Sequence, residues 1–140
     1  MHRLRTLHVA LRVTDINRSL AFYTALGYTR IGHVTPDPAM RLDFLKFPDD
    51  PFVTLELVHR PGDGPVLRGD GFHHLVVQVD TLATYRTRLI GAGLDPEPIQ
   101  YPAGPDGPQT AWLTDPDGYR IEVVEWPPEH ADVITAVDMP

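Results

Sequence analysis

Two histidine–glutamate pairs recur in this 140-residue chain with the same internal spacing. His8 and Glu56 are 48 positions apart, and so are His74 and Glu122, so the second pair is the first shifted by 66 positions. Two neutral imidazoles and two carboxylates suit a divalent ion of borderline hardness. The spacing therefore predicts one metal between two half-sites of a duplicated scaffold. Ni²⁺, Co²⁺, Mn²⁺, Fe²⁺ and Zn²⁺ are all compatible with this donor set.

The 66-residue offset extends to the residues around these pairs. Gly27 corresponds to Gly93 and Asp49 to Asp115, and apolar residues flank both glutamates in the same frame without a gap. One matched pair would be coincidence, but ligand-type residues and apolar neighbours in one frame indicate a duplicated module. We therefore expect a single domain, residues 1–140, with module 1 at about 5–60, a linker at 61–71, module 2 at about 72–126 and a tail at 127–140.

Each half of the sequence has the pattern of a strand, a helix and then two or three further strands. In the first half, Asp15 or Asn17 can cap a helix with its body at 18–26, and Gly27 suits the position just past its end. The strands predicted there are 7–13, 31–34, 41–47 and 52–59. In the second half we expect strands at 74–79, 109–113 and 119–125, a helix at 82–92, and a proline-crowded strand at 98–101.

Strand alternation indicates which face of the sheet each candidate ligand uses. His8 shares a face with Ala10 and opposes Val9, while Glu56 opposes the apolar residues on either side of it. The His and Glu of this pair therefore point away from the strongly apolar face, which we expect to pack on helices.

The same alternation holds for Glu122 and His74 in the second half. It also distinguishes His74 from its neighbour His73, because only His74 keeps both the face and the 66-residue offset.

Composition excludes several classes of function. The net charge of −7 disfavours non-specific nucleic-acid binding, which depends on a basic surface. The absence of cysteine excludes disulfides, thiolate metal sites and cysteine nucleophiles. No window has the length and hydropathy of a membrane span or the features of a signal peptide, so we expect a cytoplasmic protein that acts on a small molecule.

Several segments resemble those of glyoxalase I enzymes, which belong to the vicinal oxygen chelate superfamily. The similarity covers about residues 5–126 and is carried by LHVALRVTD (7–15), SLAFYTALGY (19–28), LEL (55–57), HLVVQVD (74–80) and DPDGYRIE (115–122). It implies an α+β fold of two βαβββ modules that form a cupped mixed sheet around one divalent metal. It also implies a homodimer with sites between subunits.

By this resemblance, His8, Glu56, His74 and Glu122 are the metal ligands, and the short chain is closest to the bacterial type that prefers nickel or cobalt. The implied reaction converts the hemithioacetal of methylglyoxal and a thiol into an S-2-hydroxyacyl thioester by proton transfer. The metal acts as a Lewis acid, with Glu122 as the principal base and Glu56 as its counterpart.

The thiol cosubstrate is open at this stage. Arg12 matches an arginine of the family and could bind a carboxylate of the thiol, and Arg60 is a second candidate. Relatives that use glutathione carry an Asn near Arg60 and a Lys in the loop that here contains Asp106. Glutathione and another low-molecular-weight thiol such as mycothiol are therefore both candidates.

Three other functions are compatible with the same superfamily. An extradiol-type dioxygenase needs two His and one carboxylate with open positions, which a fourth ligand at Glu56 disfavours. An epimerase shuttles a proton in a similar way, but its second ligand is typically Gln. A non-catalytic drug- or small-molecule-binding protein generally lacks these ligands.

Overall fold

Each half of the chain begins with a strand and a helix in the computed structural model, which describes residues 2–140. The chain divides into two compact units, one ending at Arg68 and one beginning at Gly69. The elements of the first unit are β1 (Val9–Val13), α1 (Ile16–Leu26), β2 (Thr29–Asp37), β3 (Met40–Lys46) and β4 (Leu55–His59). Those of the second are β5 (Leu75–Gln78), α2 (Leu82–Gly91), β6 (Gln109–Thr114) and β7 (Arg120–Glu125). None of the helices in this described part of the chain has the length and hydropathy needed to cross a membrane.

Each unit contains its own mixed sheet. The first sheet has the order β1-β4-β3-β2, with β1 parallel to β4 and the remaining pairs antiparallel. The second has the order β5-β7-β6, with β5 parallel to β7 and β6 antiparallel to it. Parallel neighbours require a crossover, and α1 and then α2 lie in the connections that provide it. The predicted α+β class is confirmed.

The strand register shows the 66-residue repeat directly. Val9 pairs with Leu55 across β1 and β4, and Leu75 pairs with Ile121 across β5 and β7, so both partners shift by the same 66 positions. These residues belong to the same alternating pattern that the sequence predicts. The expectation of a duplicated strand pair is therefore confirmed.

The expectation that no gap separates the two halves is wrong at one hairpin. Phe44 pairs with Glu56 across β3 and β4, whereas Trp112 pairs with Glu122 across β6 and β7. The first pair is 12 positions apart and the second 10, so the hairpin of the first unit is two residues longer. Residues of β3 and β6 therefore correspond with an offset of 68, because the hairpin loop sets the register of the strand before it.

The two hairpin turns also use different aspartates. Asp115 is buried, and its Oδ1 accepts hydrogen bonds from the backbone N–H groups of Asp117 at 2.8 Å and Tyr119 at 2.9 Å. In the first unit, Asp50 accepts from the backbone of Phe47 at 2.9 Å, while Asp49 is exposed. The predicted correspondence of Asp49 with Asp115 therefore holds in sequence position but not in structural role.

The strand predicted at 98–101 is reduced to a single bridge between Gln100 and Thr110. Pro98 and Pro102 flank this bridge and have no N–H to donate to a ladder, so beyond it the segment, within the described residues, makes only one further backbone bond to β6, from Glu97 N–H to the Trp112 carbonyl at 2.8 Å. The second module thus has three regular strands, and an irregular edge segment takes the place of its fourth.

The two helices begin with different caps. At α1, Asp15 accepts from the backbone N–H groups of Asn17 and Arg18, which selects Asp15 over Asn17 as the cap. At α2, the side chain of Thr81 makes no capping bond. Instead Glu125, at the end of β7, accepts from the N–H of Leu82 at 2.7 Å. A carboxylate here satisfies an unpaired amide and complements the positive end of the helix dipole.

The core of each unit lies on the face of the sheet that the ligand candidates avoid. Glu125 shares its face of β7 with Ile121 and Val123, and its bond to the start of α2 shows that this face packs against the helix. The fully buried strand residues follow this alternation and include Val13, Leu55 and Leu57 in the first unit and Ile121 and Val123 in the second. Leu82 and Leu89 of α2 are buried as well.

A buried ion cluster interrupts this apolar face in the first unit. Asp43 is 0% exposed and accepts from Arg30 Nε at 2.7 Å, Arg41 Nε at 2.8 Å and Arg41 Nη2 at 3.0 Å. Burial opposes ionisation of Asp43, but the hydrogen bonds from Arg41 and Arg30 outweigh it, so the pKa of this carboxyl lies below its usual value. Because the folded-state pKa is lowered, ionised Asp43 stabilises the fold above the usual carboxyl pKa, and that stabilisation is lost as pH falls through the lower folded value.

We expect Asp43→Asn to lower the free energy of unfolding by about 2 kcal/mol near neutral pH, because it removes the charge from a buried hydrogen-bonded cluster. This loss of unfolding free energy is smaller than the loss from breaking a fully buried ion pair, because both arginine side chains are about one-third exposed and can be rehydrated. Urea unfolding from about pH 3 to pH 7 measures the difference, which should shrink below about pH 4. The exposed Asp49→Asn is the control. A difference that stays constant over this range would contradict the prediction.

Candidate functional site

The first histidine–glutamate pair is in contact. His8 directly precedes β1 and Glu56 lies in β4, and His8 Nε2 is 3.1 Å from Glu56 Oε1. Both side chains are partly buried, with relative exposures of 28% and 15%. Phe44, the strand partner of Glu56, also presents its ring to His8 edge to face, at a centroid distance of 6.2 Å. The predicted pair thus forms a compact group with an aromatic neighbour.

The second pair has the same arrangement of elements. His74 directly precedes β5, and Glu122 of β7 pairs with Val76 on one side and Trp112 on the other. The His74 and Trp112 rings meet edge to face at 5.0 Å. His74, Trp112 and Glu122 therefore share one face of the second sheet, opposite the face that packs against α2.

His74 has an additional partner that has no counterpart in the first unit. The Nδ1 atoms of His73 and His74 are 2.7 Å apart, and their rings approach edge to face. His73 is exposed, and the residue at the matching position in the first unit is Leu7. The two histidines therefore interact, although the repeat alone favours His74.

Each unit contributes two donors that suit a divalent ion. In the first unit an imidazole nitrogen and a carboxylate oxygen are close enough to bind one ion with a small adjustment. Across residues 2–140, no three metal-ligating side chains are grouped so that they could hold a metal ion. The structure brings His8 together with Glu56, and it places His74 and Glu122 in the equivalent register of the second unit.

The predicted cosubstrate residues both lie near the linker of the first unit. The Arg12 guanidinium donates to the carbonyl oxygens of Gly64 at 2.9 Å and Pro65 at 3.1 Å. Arg60 is about half exposed and pairs with Asp63 at 3.3 Å. Arg12 therefore holds the segment that follows Arg60 against β1, while the Arg60 side chain points into solvent-accessible space.

An arginine, Arg120, lies on the face of the second sheet that carries Glu122. Arg120 is two residues before Glu122 in β7, and its guanidinium stacks over the Trp112 ring at 5.0 Å. It also donates to Thr114 Oγ1 at 2.9 Å and pairs with Glu97. The sequence indicated no role for Arg120 or Trp112. Strand alternation places both on this face, but their contact depends on the β6–β7 register, which the sequence did not reveal.

The chain matches known proteins along most of its length. Residues 5–123 match the model of the family described as the Glyoxalase/Bleomycin resistance protein/Dioxygenase superfamily. The lactoylglutathione lyase of Salmonella typhimurium is 33% identical over 128 residues, which cover 87% of this chain and 93% of that protein. The probable lactoylglutathione lyase of Vibrio cholerae is 30% identical over 140 residues, covering 94% and 97%.

A solved structure shows the same relationship. The trypanothione-dependent glyoxalase I of Leishmania major superposes with a TM-score of 0.70 at 28% identity, over 88% of this chain and 87% of that chain. Agreement over nearly the whole of both chains means that the similarity is not confined to one motif.

Proposed function

Because this chain belongs to the Glyoxalase/Bleomycin resistance protein/Dioxygenase superfamily, we propose that it is a divalent-metal-dependent isomerase of thiol hemithioacetals. It is a glyoxalase I-like enzyme, as its lactoylglutathione lyase relatives and its glyoxalase I structural neighbour show. The substrate we propose is the hemithioacetal of methylglyoxal and a low-molecular-weight thiol, and the product is the S-2-hydroxyacyl thioester.

The observation that carries this proposal is the repeated His–Glu pair in one strand register. We propose His8, Glu56, His74 and Glu122 as the ligands of a divalent ion. The donor types fit, because the first pair already converges to 3.1 Å and the second occupies equivalent positions. Ni²⁺ is the first candidate, and Co²⁺, Zn²⁺, Mn²⁺ and Fe²⁺ suit the same donors. When bound, the ion supplies Lewis-acid polarisation of the two adjacent substrate oxygens.

Glu122 is the proposed base. Its carboxylate removes the proton from the carbon that bears the thiol sulfur and the hydroxyl group, and delivers a proton to the neighbouring carbonyl carbon. The hydroxyl proton passes to the neighbouring oxygen, and the carbon–sulfur bond stays intact. The reaction is therefore a balanced internal redox isomerisation that needs no external oxidant. Trp112, the strand partner of Glu122, lies on the same face of the second sheet and contacts the His74 ring.

Arg60 is the residue we propose to bind a carboxylate of the thiol cosubstrate. Its exposed pair with Asp63 is weak enough to be replaced by a ligand carboxylate. We propose two roles for Arg12. It contacts the thiol cosubstrate, and its bonds to the Gly64 and Pro65 carbonyls hold the segment that follows Arg60 in place. The Leishmania major relative is described as trypanothione-dependent, so thiol identity is a variable worth testing in this chain. Glutathione and mycothiol are the proposed candidates.

We further propose that the active assembly is a homodimer, as the family resemblance implies. Analytical ultracentrifugation of the metal-loaded protein checks this directly, with a species of twice the chain mass of 15.7 kDa expected. A monomer that retains full activity would contradict the proposed assembly and leave the proposed chemistry standing.

The decisive experiment removes and restores the metal. Protein stripped with a chelator is titrated with Ni²⁺, Co²⁺, Zn²⁺, Mn²⁺ or Fe²⁺, and metal binding and thioester formation from methylglyoxal are followed with glutathione, with mycothiol and without thiol. We expect activity to return in proportion to bound metal and to require a thiol. Absence of metal binding, or activity indifferent to metal with every thiol, would overturn the proposal.

A further inference from the structure

We propose, resting on the function proposed above, that His73 is a positioning residue that orients the His74 imidazole through a hydrogen bond to its Nδ1. The repeat alone assigns His73 no role, because the matching position in the first unit is occupied by Leu7. The contact between the two rings changes this, because a hydrogen bond to His74 Nδ1 limits the orientations that the His74 ring can adopt.

The distance of 2.7 Å between the two Nδ1 atoms identifies a hydrogen bond in which one ring donates and the other accepts. The first unit indicates which nitrogen of His74 faces the proposed metal, since His8 directs Nε2 towards its partner carboxylate. If His74 uses the same nitrogen towards a metal, its Nε2 must be unprotonated and its Nδ1 must carry the proton. His74 then donates from Nδ1, and His73 Nδ1 accepts.

This is the arrangement that a metal-binding histidine needs. A ligand imidazole commonly donates its other ring N–H to a neighbouring acceptor, which fixes both the tautomer and the plane of the ring. His73 supplies that acceptor, while Trp112 contacts the same ring at 5.0 Å. The two contacts together restrict rotation of His74 about its side-chain bonds.

Two substitutions separate this role from a general structural one. His73→Leu introduces the residue found at the matching position of the first unit and cannot accept a hydrogen bond. His73→Asn retains an acceptor oxygen in nearly the same place as Nδ1. Because His73 is exposed, neither change should disturb folding. His2→Leu, which removes an exposed histidine ahead of β1, serves as the control.

The first measurement is the ¹H–¹⁵N correlation spectrum of the imidazoles in protein loaded with Zn²⁺, which is diamagnetic. We expect the Nδ1–H of His74 to exchange slowly with water in the wild type and in His73→Asn, and much faster in His73→Leu, which offers no acceptor. A wild-type Nδ1–H of His74 that exchanges as fast as in His73→Leu would overturn the inference.

The second measurement is the Kd for the metal that the wild type binds most tightly. His73→Leu should weaken binding about 10- to 100-fold, and His73→Asn should recover most of that loss. An unchanged Kd in His73→Leu, or equal losses in both variants, would overturn the role of His73 and leave the proposed function intact. A wild type that binds no divalent metal would instead overturn the proposed function itself.

Discussion

Glu122→Gln is expected to lower kcat for thioester formation by about 10²- to 10⁴-fold, the range that a positioned general base usually contributes. The amide oxygen of glutamine keeps a donor for the metal but cannot take up the substrate proton. Bound metal, measured on the same samples, should therefore fall far less than kcat. Initial rates at saturating hemithioacetal, followed by thioester absorbance, give the comparison.

Glu56→Gln is the matched control, because Glu56 has the same register in the first unit and the same residue type. We expect its effect on kcat to be clearly smaller, since Glu122 is the proposed principal base. Equal losses in the two variants would contradict that asymmetry and make both carboxylates participants in proton transfer. A Glu122→Gln enzyme with wild-type kcat would remove the base assignment altogether.

His8→Leu is expected to weaken metal binding by at least about 100-fold. It removes a proposed ligand, and even the loss of a residue that only orients a ligand typically weakens metal binding about 10- to 100-fold. Leucine has no donor atom, and Glu56 loses its 3.1 Å partner. Activity measured at limiting metal should fall in parallel and recover in part when metal is added in excess. Metal titration and assay of the same preparation measure both quantities.

His2→Leu provides the matched change at an exposed histidine of the same unit that has no proposed role at the metal. It should leave the metal Kd and the rate within about two-fold of wild type, as expected for a surface substitution. If His8→Leu binds metal as tightly as this control, His8 is not a ligand. Thermal unfolding of both variants distinguishes loss of a donor from loss of the folded unit.

The His–Glu pairs could be predicted because strand alternation and a repeat at constant spacing can both be recognised from the order of residues in the sequence. Each ligand candidate occupies the polar position of an apolar alternation, and the parallel pairing of β1 with β4 repeats in β5 and β7 with the same offset. The order of strands and helices followed from the same periodicity, whereas the fold class came from the resemblance to glyoxalase I enzymes. The helix caps were predicted less well, because Glu125 caps α2 from a strand more than 40 residues away.

The aromatic neighbours of the glutamates could not be predicted in the same way. Trp112 and Phe44 do not correspond under the 66-residue offset, since the intervening hairpins differ by two residues. Register across an antiparallel pair is set by the length and geometry of the turn, which composition does not specify. Arg12 is a similar case, because its bonds to Gly64 and Pro65 depend on the path of the linker.

The sequence by itself therefore determined the residue types of the candidate ligands, their pairing and the face of the sheet on which they lie. These properties depend on the two-residue period of a strand and on the 66-residue repeat, and both patterns can be recognised in the sequence. Only the tertiary structure decided which side chains contact those donors, including the aromatic ring beside each glutamate and the His73 nitrogen against His74. Such contacts arise from turn lengths and strand register, which bring together residues that no local pattern connects.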